Sequence, residues 1–331
     1  MNEAGGPVPR SPDDMRISLA AAMTLGYEPG QFFRGARLHC VNLLLTYPEG
    51  CGARCAYCGL AARGPGGGAG RSFIRVRWPA YPLADIIRRI SSRRETVKRI
   101  CISMITRRAA VADTAAACAR LRSSFDIPVS LLISPTILRD GDLERLKAAG
   151  ADKVGVAVDL ATPELFDRHR GAGVQGPHRW DVYWRCFERA LAVFGEGQAG
   201  VHLMAGMGET EEEMCAAIQR ARDLGGRTHL FSFFPEAGSL LADHPRPSMV
   251  QYRHVQLARF LIDEGIGRAE RFAFDSRGRI IDFGLPAADQ GRLIDSGEPF
   301  RTSGCAGYDG EVACNRPFAN SRPGPPLRNY P

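Results

Sequence analysis

Short apolar runs alternate with longer amphipathic segments along most of the chain. Six of the apolar runs are predicted to be strands, at residues 41–47, 98–104, 128–134, 153–159, 199–205 and 228–234, with weaker ones at 271–274 and 279–283. The intervening segments space their apolar residues at helical intervals, which predicts helices over residues 82–95, 109–124, 140–149, 179–194, 210–224 and 248–264. Nearly continuous apolar strands separated by helices indicate an α/β fold with a parallel sheet covered by helices.

The two ends of the chain follow different patterns. Residues 15–25 have helix-like spacing and are predicted to pack as a helix on the outside or bottom of the main domain. Residues 285–331 are rich in Gly, Pro and Arg, which predicts an extended C-terminal tail. The expected organisation is a lead with one helix (1–37), a (βα) barrel between a partial six-unit and a near-complete TIM-like form (38–284), and the tail.

Composition narrows the classes of function. The chain has 331 residues, of which 44% are hydrophobic and 24% charged, as in ordinary globular proteins. Its net charge of +7 is dispersed, so we expect no nucleic-acid partner, although a basic surface could favour an acidic carrier protein. No apolar run approaches the roughly 20 residues of a membrane span. Ten cysteines behind an N-terminus unlike a secretory signal predict a cytoplasmic protein with metal-binding thiols.

Three of these cysteines lie in residues 46–60, TYPEGCGARCAYCGL, directly after the first predicted strand. Cys51, Cys55 and Cys58 have the spacing C-x3-C-x2-C, which allows three thiolates to face one point. Soft sulfur ligands select iron–sulfur clusters, zinc or Cu(I). Three ligands leave one position of a cubane open for a substrate. The alternatives are zinc completed by a distant Cys or His, or a chance run of buried thiols; the second C-x2-C hook that is usual for zinc does not follow.

Polar residues also stand at the ends of the other predicted strands, where barrel enzymes place their chemistry. Ser103 ends the second strand, where it is either a ligand contact or a plain strand end. Asp159 ends the fourth; its carboxylate can accept two hydroxyl hydrogen bonds, which suits a ribose, or it caps the next helix. His169 and His178 follow and could touch a substrate, although surface histidines are commoner. The fifth strand runs into Gly206 and Gly208, where backbone can approach a flat ligand closely, and into a Thr210–Glu213 capping box.

The remaining cysteines fall into two groups. Cys305 and Cys314 lie in the tail among Gly, Arg and Asn, which favours a role as ligands. Cys101 shares the parity of Ser103 on the second strand and is either a third ligand or a buried strand residue. The others are expected to pack in the core or to lie at the far end of the barrel from the strand ends: Cys118, Cys186 and Cys215 on helices, and Cys40 at the start of the first strand.

The cysteine spacing, with Tyr57 before the third cysteine, resembles the signature of the radical S-adenosylmethionine (radical SAM) enzymes. The resemblance implies a 4Fe-4S cluster whose open iron is chelated by the amino and carboxylate groups of S-adenosylmethionine. It also implies roles in binding that cofactor for seven residues: Tyr57, Ser103 near the methionyl amine, Asp159 at the ribose, Arg170 (or Arg168) at the methionyl carboxylate, and Met204, Gly206 and Glu209 beside the adenine.

Residues 15–331 are also similar to the second subunit type of the two-protein (split) lipoyl synthases and, more distantly, to biotin synthase. The similarity includes RISLAAAMTLGYEPGQFFRGARLHCVNLLLTYPEGC, CISMIT, HLMAGMGETEEEM and the tail SGC…CNRPFANSRPG. It implies an auxiliary iron–sulfur cluster on Cys101, Cys305 and Cys314, with Ser303 or Arg301 as a fourth contact. The two tail cysteines are expected to be close together in that family, whereas eight residues separate them here.

The activity implied is that of a lipoyl synthase subunit, a transferase of lipoate biosynthesis that inserts sulfur at an unactivated carbon of a protein-bound octanoyl chain. The implied partners are an octanoylated lipoyl carrier protein or domain, a sister radical SAM subunit, and an electron donor such as ferredoxin or flavodoxin. Two alternatives are a radical SAM enzyme of another pathway without sulfur insertion, and a non-catalytic iron–sulfur or zinc protein.

Overall fold

The computed structural model describes residues 8–32, 37–62, 73–74, 76–301 and 303–314. The strands are β1 (Asp14–Ile17), β2 (Cys40–Leu45), β3 (Ala80–Pro82), β4 (Arg99–Ser103), β5 (Val129–Ile133), β6 (Ala151–Asp159), β7 (Ala199–Ala205), β8 (Arg227–Ser232), β9 (Ala273–Phe274) and β10 (Ile280–Asp282). The helices are α1 (Leu19–Thr24), α2 (Leu83–Ser91), α3 (Ala110–Ser124), α4 (Asp142–Ala148), α5 (Pro163–Arg170), α6 (Trp180–Phe194), α7 (Glu211–Asp223), α8 (Met249–Asp263) and α9 (Ala287–Ser296).

Eight strands form one mostly parallel sheet in the order β3-β1-β2-β4-β5-β6-β7-β8. Six strands run parallel to one another, as the sequence predicts: β2, β4, β5, β6, β7 and β8. Strands β1 and β3 continue the sheet beyond β2 in antiparallel pairing. All six parallel strands contribute residues to one cavity, so the sheet curves around it. Within the described residues β3 and β8 remain the two edges, which makes the sheet an open one.

Helices cover the other face of the sheet and close the core. Helix α6 contributes some of the largest buried side chains, Tyr183, Trp184 and Phe187. Helix α7 begins with the predicted capping box, in which Thr210 and Glu213 each bind the other's backbone N–H. None of the helices in the described ranges is long and apolar enough to cross a membrane.

The structure corrects the sequence predictions at both ends of the chain. The helix predicted over residues 15–25 divides into strand β1 and the short helix α1. Met15 and Ile17 are fully buried whereas Asp14 and Arg16 are partly exposed, a period of two that pairing with β2 imposes. The tail contains helix α9, with no buried residue, and the weak strand predictions correspond to a separate two-stranded sheet of β9 and β10.

Candidate active site

A cavity of about 260 Å³ opens at the carboxyl ends of the parallel strands. Much of its wall is apolar, with contributions from Leu44, Met104, Leu132, Ile133, Met204 and Phe231. Polar side chains also line it, including Ser103, Thr106, Ser134, Asp159, Arg170 and His178. The site therefore combines an apolar wall with several hydrogen-bonding groups, as ligand-binding cavities commonly do.

Cys51, Cys55 and Cys58 all line this cavity, as expected for thiols that directly follow β2. Their loop is fixed to neighbouring elements through its backbone. The Gly52 N–H donates to the Thr106 carbonyl at 2.8 Å, and a Cβ on Gly52 would lie 2.9 Å from the same oxygen, so only glycine fits there. The Ala56 N–H donates to the carbonyl of His169 at 2.7 Å, at the end of α5.

The surroundings of these thiols suit metal-bound thiolates. Backbone N–H groups point at two sulfur atoms: those of Ala53 and Thr106 lie 3.4 Å from Cys51 Sγ, and that of Leu60 lies 3.4 Å from Cys58 Sγ. Such donors stabilise sulfur charge in iron–sulfur sites. Burial raises the pKa of the Cys55 thiol to about 11 and raises that of Cys58 strongly, so both are neutral without metal and release their protons on binding it.

The number of thiols in the loop suits a cluster with one open position. A cubane binds each thiolate to a different iron atom, so three thiolates leave its fourth iron without a protein ligand, whereas a structural zinc ion takes four protein ligands. Cys51, Cys55 and Cys58 would hold such a cluster at the mouth of the cavity. Among the described residues, no group of three or more His, Cys, Asp or Glu side chains is arranged to hold one metal ion.

Tyr57, Asp159 and Arg170 form one hydrogen-bonded group on the cavity wall. Asp159 Oδ2 accepts from the Tyr57 hydroxyl at 2.6 Å and from Arg170 Nη1 at 2.8 Å. Asp159 has a positive φ of 67°, which turns the chain sharply where β6 ends. The interpretation of Asp159 as a helix cap is wrong, because Thr162 caps α5. The group instead fixes the Asp159 carboxylate beside the thiol loop.

Arg170 has hydrogen-bonding capacity that the described residues do not use. Its guanidinium also donates to the backbone carbonyls of Ala157 and Val158 and to the Tyr183 hydroxyl. The Nε atom is buried and has no hydrogen-bond partner within the described part of the chain. Because Arg170 lines the cavity, its guanidinium places a fixed positive charge on the wall, which suits an anionic group of a ligand.

The structure places His169 and His178 in the interior, contrary to the interpretation of them as surface residues. His178 is 3% exposed and lines the cavity, where Nδ1 lies 2.6 Å from Thr136 Oγ1 and 2.9 Å from the Tyr183 hydroxyl. Burial, with a smaller contribution from Arg170, lowers the pKa of His178 to about 2. The imidazole is therefore neutral and bridges hydroxyl groups behind Arg170.

The other predicted contacts with S-adenosylmethionine divide by location. Ser103 and Met204 line the cavity, whereas Gly206 and Glu209 lie just beyond its lining. Glu209 accepts hydrogen bonds from the N–H groups of Gly206 and Met207, at 2.6 and 2.8 Å, and so holds the turn after β7. A Cβ on Gly206 would lie 2.4 Å from Pro247, so a proline packs on this glycine. Their contacts with the adenine remain predictions.

The tail cysteines are brought together by a hairpin. The eight residues between them fold back on themselves through a bridge between Ala306 and Val312, and the Cys314 N–H donates to the Cys305 carbonyl at 3.0 Å. Gly304 permits this approach, because a Cβ there would lie 2.0 Å from the Cys314 carbonyl oxygen. The insertion therefore keeps the two cysteines adjacent. Residues 315–324, which carry the rest of the tail motif, lie outside the described ranges.

The hairpin is attached to the amino-terminal end of β4, opposite the cavity. Lys98 Nζ lies 2.5 Å from Asp309 Oδ2, and Arg99 Nε donates to the carbonyl of Ala306. Cys40, at the start of β2, is within hydrogen-bonding reach of Cys314, and Cys101 and Cys305 are close enough to raise the Cys40 pKa further. Cys40 thus lies at the amino-terminal end of the sheet, as expected for the start of the first predicted strand, and the tail folds to the same end.

A second cavity of about 210 Å³ opens beside this hairpin. Its lining is polar and includes Lys153, His229, Arg259, Asp263, Ser303 and Cys305. His202 lines the first cavity, called the upper cavity below, and His229 lines the second, the lower cavity. The centroids of these two rings lie 5.1 Å apart inside the sheet. The two cavities thus approach each other along the interior of the sheet.

The two fourth contacts proposed from the sequence have other partners. Ser303 Oγ accepts from the Leu230 N–H at 3.4 Å, and its carbonyl receives a hydrogen bond from His229 Nδ1. Arg301 pairs with Glu298 at 3.0 Å. Thr302 between them lies outside the described residues.

Comparison with known proteins agrees with the thiol loop. The chain matches the family model of the radical SAM superfamily over residues 45–221, more than half of its length. No curated protein matches it. Among solved structures it is similar to HydG, a maturase of the [FeFe]-hydrogenase, with a TM-score of 0.54 and 14% identity over 75% of this chain and 54% of that one.

The chain thus spans about half the length of HydG, and at this identity the likeness shows the fold alone. The coproporphyrinogen III oxidase HemN from Escherichia coli also matches, with a TM-score of 0.36 and 17% identity over 51% of this chain and 39% of that one. The family match covers the thiol loop and most of the strands that line the cavity. The chain belongs to the radical SAM superfamily, whose enzymes use a 4Fe-4S cluster and S-adenosylmethionine.

Proposed function

We propose that this enzyme is a sulfur-inserting lipoyl synthase subunit that acts on an octanoyl chain attached to a lipoyl carrier protein or domain. The observation that carries the proposal is the tail hairpin, which holds Cys305 and Cys314 together at the start of β4, below Cys101. Sulfur insertion needs a sulfur donor in addition to the cluster that generates the radical. A sacrificial auxiliary cluster on these cysteines would be that donor.

The bound groups supply the difficult chemistry. A cluster held by Cys51, Cys55 and Cys58, with S-adenosylmethionine and an electron from ferredoxin or flavodoxin, would supply the radical chemistry that activates a carbon of the octanoyl chain. An auxiliary cluster held by Cys101, Cys305 and Cys314 would supply the sulfur, and its iron would accept the electron left over when the carbon–sulfur bond forms. The chain's own residues hold and orient these partners and exclude water.

Residues of the upper cavity suit those tasks. The positive charge of Arg170 on the cavity wall suits a ligand carboxylate, and the fixed carboxylate of Asp159 suits ribose hydroxyls. The apolar wall formed by Leu44, Leu132 and Phe231 suits a saturated hydrocarbon chain, which offers no polar group to bind. A chain entering this cavity would extend from the thiol loop toward the tail thiols, and a sister radical SAM subunit would insert the other sulfur.

The test is turnover of an octanoyl-lysine peptide by anaerobically reconstituted protein, followed by mass spectrometry. This chain alone is expected to add one sulfur atom and to form 5'-deoxyadenosine, and addition of the sister subunit is expected to give the two-sulfur product. Unchanged peptide mass with and without that subunit, while 5'-deoxyadenosine still forms, would exclude the lipoyl proposal and favour a radical SAM reaction without sulfur insertion.

A further inference from the structure

The four cysteines Cys40, Cys101, Cys305 and Cys314 occupy one region inside the amino-terminal end of the sheet. Strand register places two of them there. Leu44 and Ser103 are paired neighbours that both line the upper cavity. Side chains alternate between the two faces of a strand, so Cys101, two residues before Ser103, and Cys40, four residues before Leu44, face the same interior.

The hairpin supplies the other two thiols from below. Cys314 makes a side-chain hydrogen bond with Cys40, and Cys305 Sγ lies 4.0 Å from His229 Nε2. The resemblance to lipoyl synthase implies three of these cysteines as ligands, with Ser303 or Arg301 as the fourth contact. Both have other partners, whereas Cys40 is 1% exposed and already in contact with a tail thiol.

The groups around these thiols are suited to a negatively charged cluster. Arg99 lies near both Cys40 and Cys305, and its guanidinium is fixed by two hydrogen bonds to Asp152 at 2.8 and 2.6 Å. Lys153 adds a second positive charge near Cys305. Asn42 Nδ2 donates to Cys40 Sγ at 3.7 Å, and a hydrogen bond of this kind orients a sulfur ligand.

His229 is held beside one of the tail thiols. His229 Nδ1 contacts the Ser303 carbonyl, which can only accept a hydrogen bond, so Nδ1 carries the proton. The Nε2 atom therefore presents its lone pair toward Cys305, 4.0 Å away.

We propose that Cys40 is the fourth thiolate ligand of the auxiliary cluster, completing a four-cysteine iron–sulfur site with Cys101, Cys305 and Cys314. The inference rests on the auxiliary cluster of the proposed function and adds a residue that binds it. It also assigns all four iron positions to cysteine, in contrast to the three-cysteine site at the cavity mouth.

The test removes the first cluster so that all bound iron belongs to the second. The full-length chain carrying Cys51→Ala, Cys55→Ala and Cys58→Ala is reconstituted anaerobically with ⁵⁷Fe and sulfide. It is expected to bind about four iron atoms per chain and to give the Mössbauer spectrum of a cubane with four cysteine ligands. Adding Cys40→Ser or Cys40→Ala is expected to speed the loss of iron to a chelator by at least about 10-fold and to make one iron site distinct.

Cys118→Ser is the matched control, since Cys118 is equally buried but lies on α3, and it is expected to match the parent. Thermal melts of the apo-proteins separate ligand loss from unfolding. Parental iron retention and an unchanged spectrum in both Cys40 variants would overturn the inference, as would one zinc ion or no iron in the parent. The measurement needs neither substrate nor S-adenosylmethionine, so its result does not depend on sulfur insertion. The four-cysteine cluster can be found in a protein that inserts no sulfur, and sulfur insertion can be found in a protein whose cluster does not use Cys40.

Discussion

Replacing Cys55 with alanine is expected to abolish reductive cleavage of S-adenosylmethionine, lowering 5'-deoxyadenosine formation by more than about 100-fold. Cys55 is 8% exposed and lies between the two other thiols of a loop that hydrogen bonds fix to Thr106 and His169. No other described thiol is near enough to replace it, since the remaining cysteines lie on helices or at the opposite end of the sheet. The cofactor then loses the iron that binds and reduces it.

Two measurements check this expectation. Anaerobic reconstitution followed by iron analysis should show a loss of up to about four iron atoms per chain, and chromatography should show no 5'-deoxyadenosine above background. Cys186→Ala, a half-buried thiol on α6, serves as the control and should behave as wild type. Undiminished 5'-deoxyadenosine in Cys55→Ala would mean that the loop at residues 46–60 does not hold the reactive cluster.

Replacing Arg170 with methionine is expected to lower the free energy of unfolding by about 3–5 kcal/mol, the usual result of removing one partner from a buried ion pair. The Arg170 side chain is 6% exposed and its partner Asp159 is 21% exposed. The substitution leaves the Asp159 carboxylate with only the Tyr57 hydroxyl, and removes the donors to the Ala157 and Val158 carbonyls. Apolar packing by methionine replaces none of these contacts.

Urea unfolding of the apo-protein, analysed by linear extrapolation, measures this effect. Arg168→Met is the control, because Arg168 is on the same helix but exposed, and it should change stability by less than about 0.5 kcal/mol. Binding of S-adenosylmethionine by the reconstituted Arg170→Met protein should also weaken, since a donor for its carboxylate is lost. Equal stability of the two variants would show that the Arg170–Asp159 pair does not hold the cavity wall.

Local pattern predicts the parallel part of the fold well. The six buried strands are short and apolar, and each is separated from the next by a segment of helical period, so every parallel strand and six of the covering helices could be located. The strand Asp14–Ile17 could not be located from the sequence, because an alanine-rich run follows it and the two together have helical spacing. Only pairing with β2, distant in sequence, makes this segment extended.

The upper site is predictable to the extent that it follows strand ends. Cys51, Cys55, Cys58, Ser103 and Asp159 were found because each stands directly after or at the end of a strand, where a parallel sheet gathers its chemistry. The hydrogen bonds among Tyr57, Asp159 and Arg170 could not be predicted from the sequence, since they depend on the left-handed turn at Asp159. The burial of His178 likewise depends on how α6 packs.

The lower thiol group depends on contacts between the ends of the chain. Nothing local to Cys40 distinguishes it from a packing residue at the start of a strand. It becomes a candidate ligand only because the hairpin from Cys305 to Cys314 folds against Lys98 and Arg99. The eight-residue spacing of the tail cysteines gave no indication of that hairpin, yet its bridge at Ala306 and Val312 restores their proximity.

The origin of the inserted sulfur is the most direct test of the proposal that an auxiliary cluster supplies it. The protein is reconstituted with ³⁴S-sulfide, desalted, and allowed a single turnover with an octanoyl-lysine peptide, reductant and S-adenosylmethionine. Sulfur insertion from an auxiliary cluster predicts a product that carries one ³⁴S atom. It predicts no such product from the Cys305→Ala protein, although that variant retains the three thiols of the loop at residues 46–60. A product whose sulfur is unlabelled, or a peptide with no added sulfur at all, would contradict it.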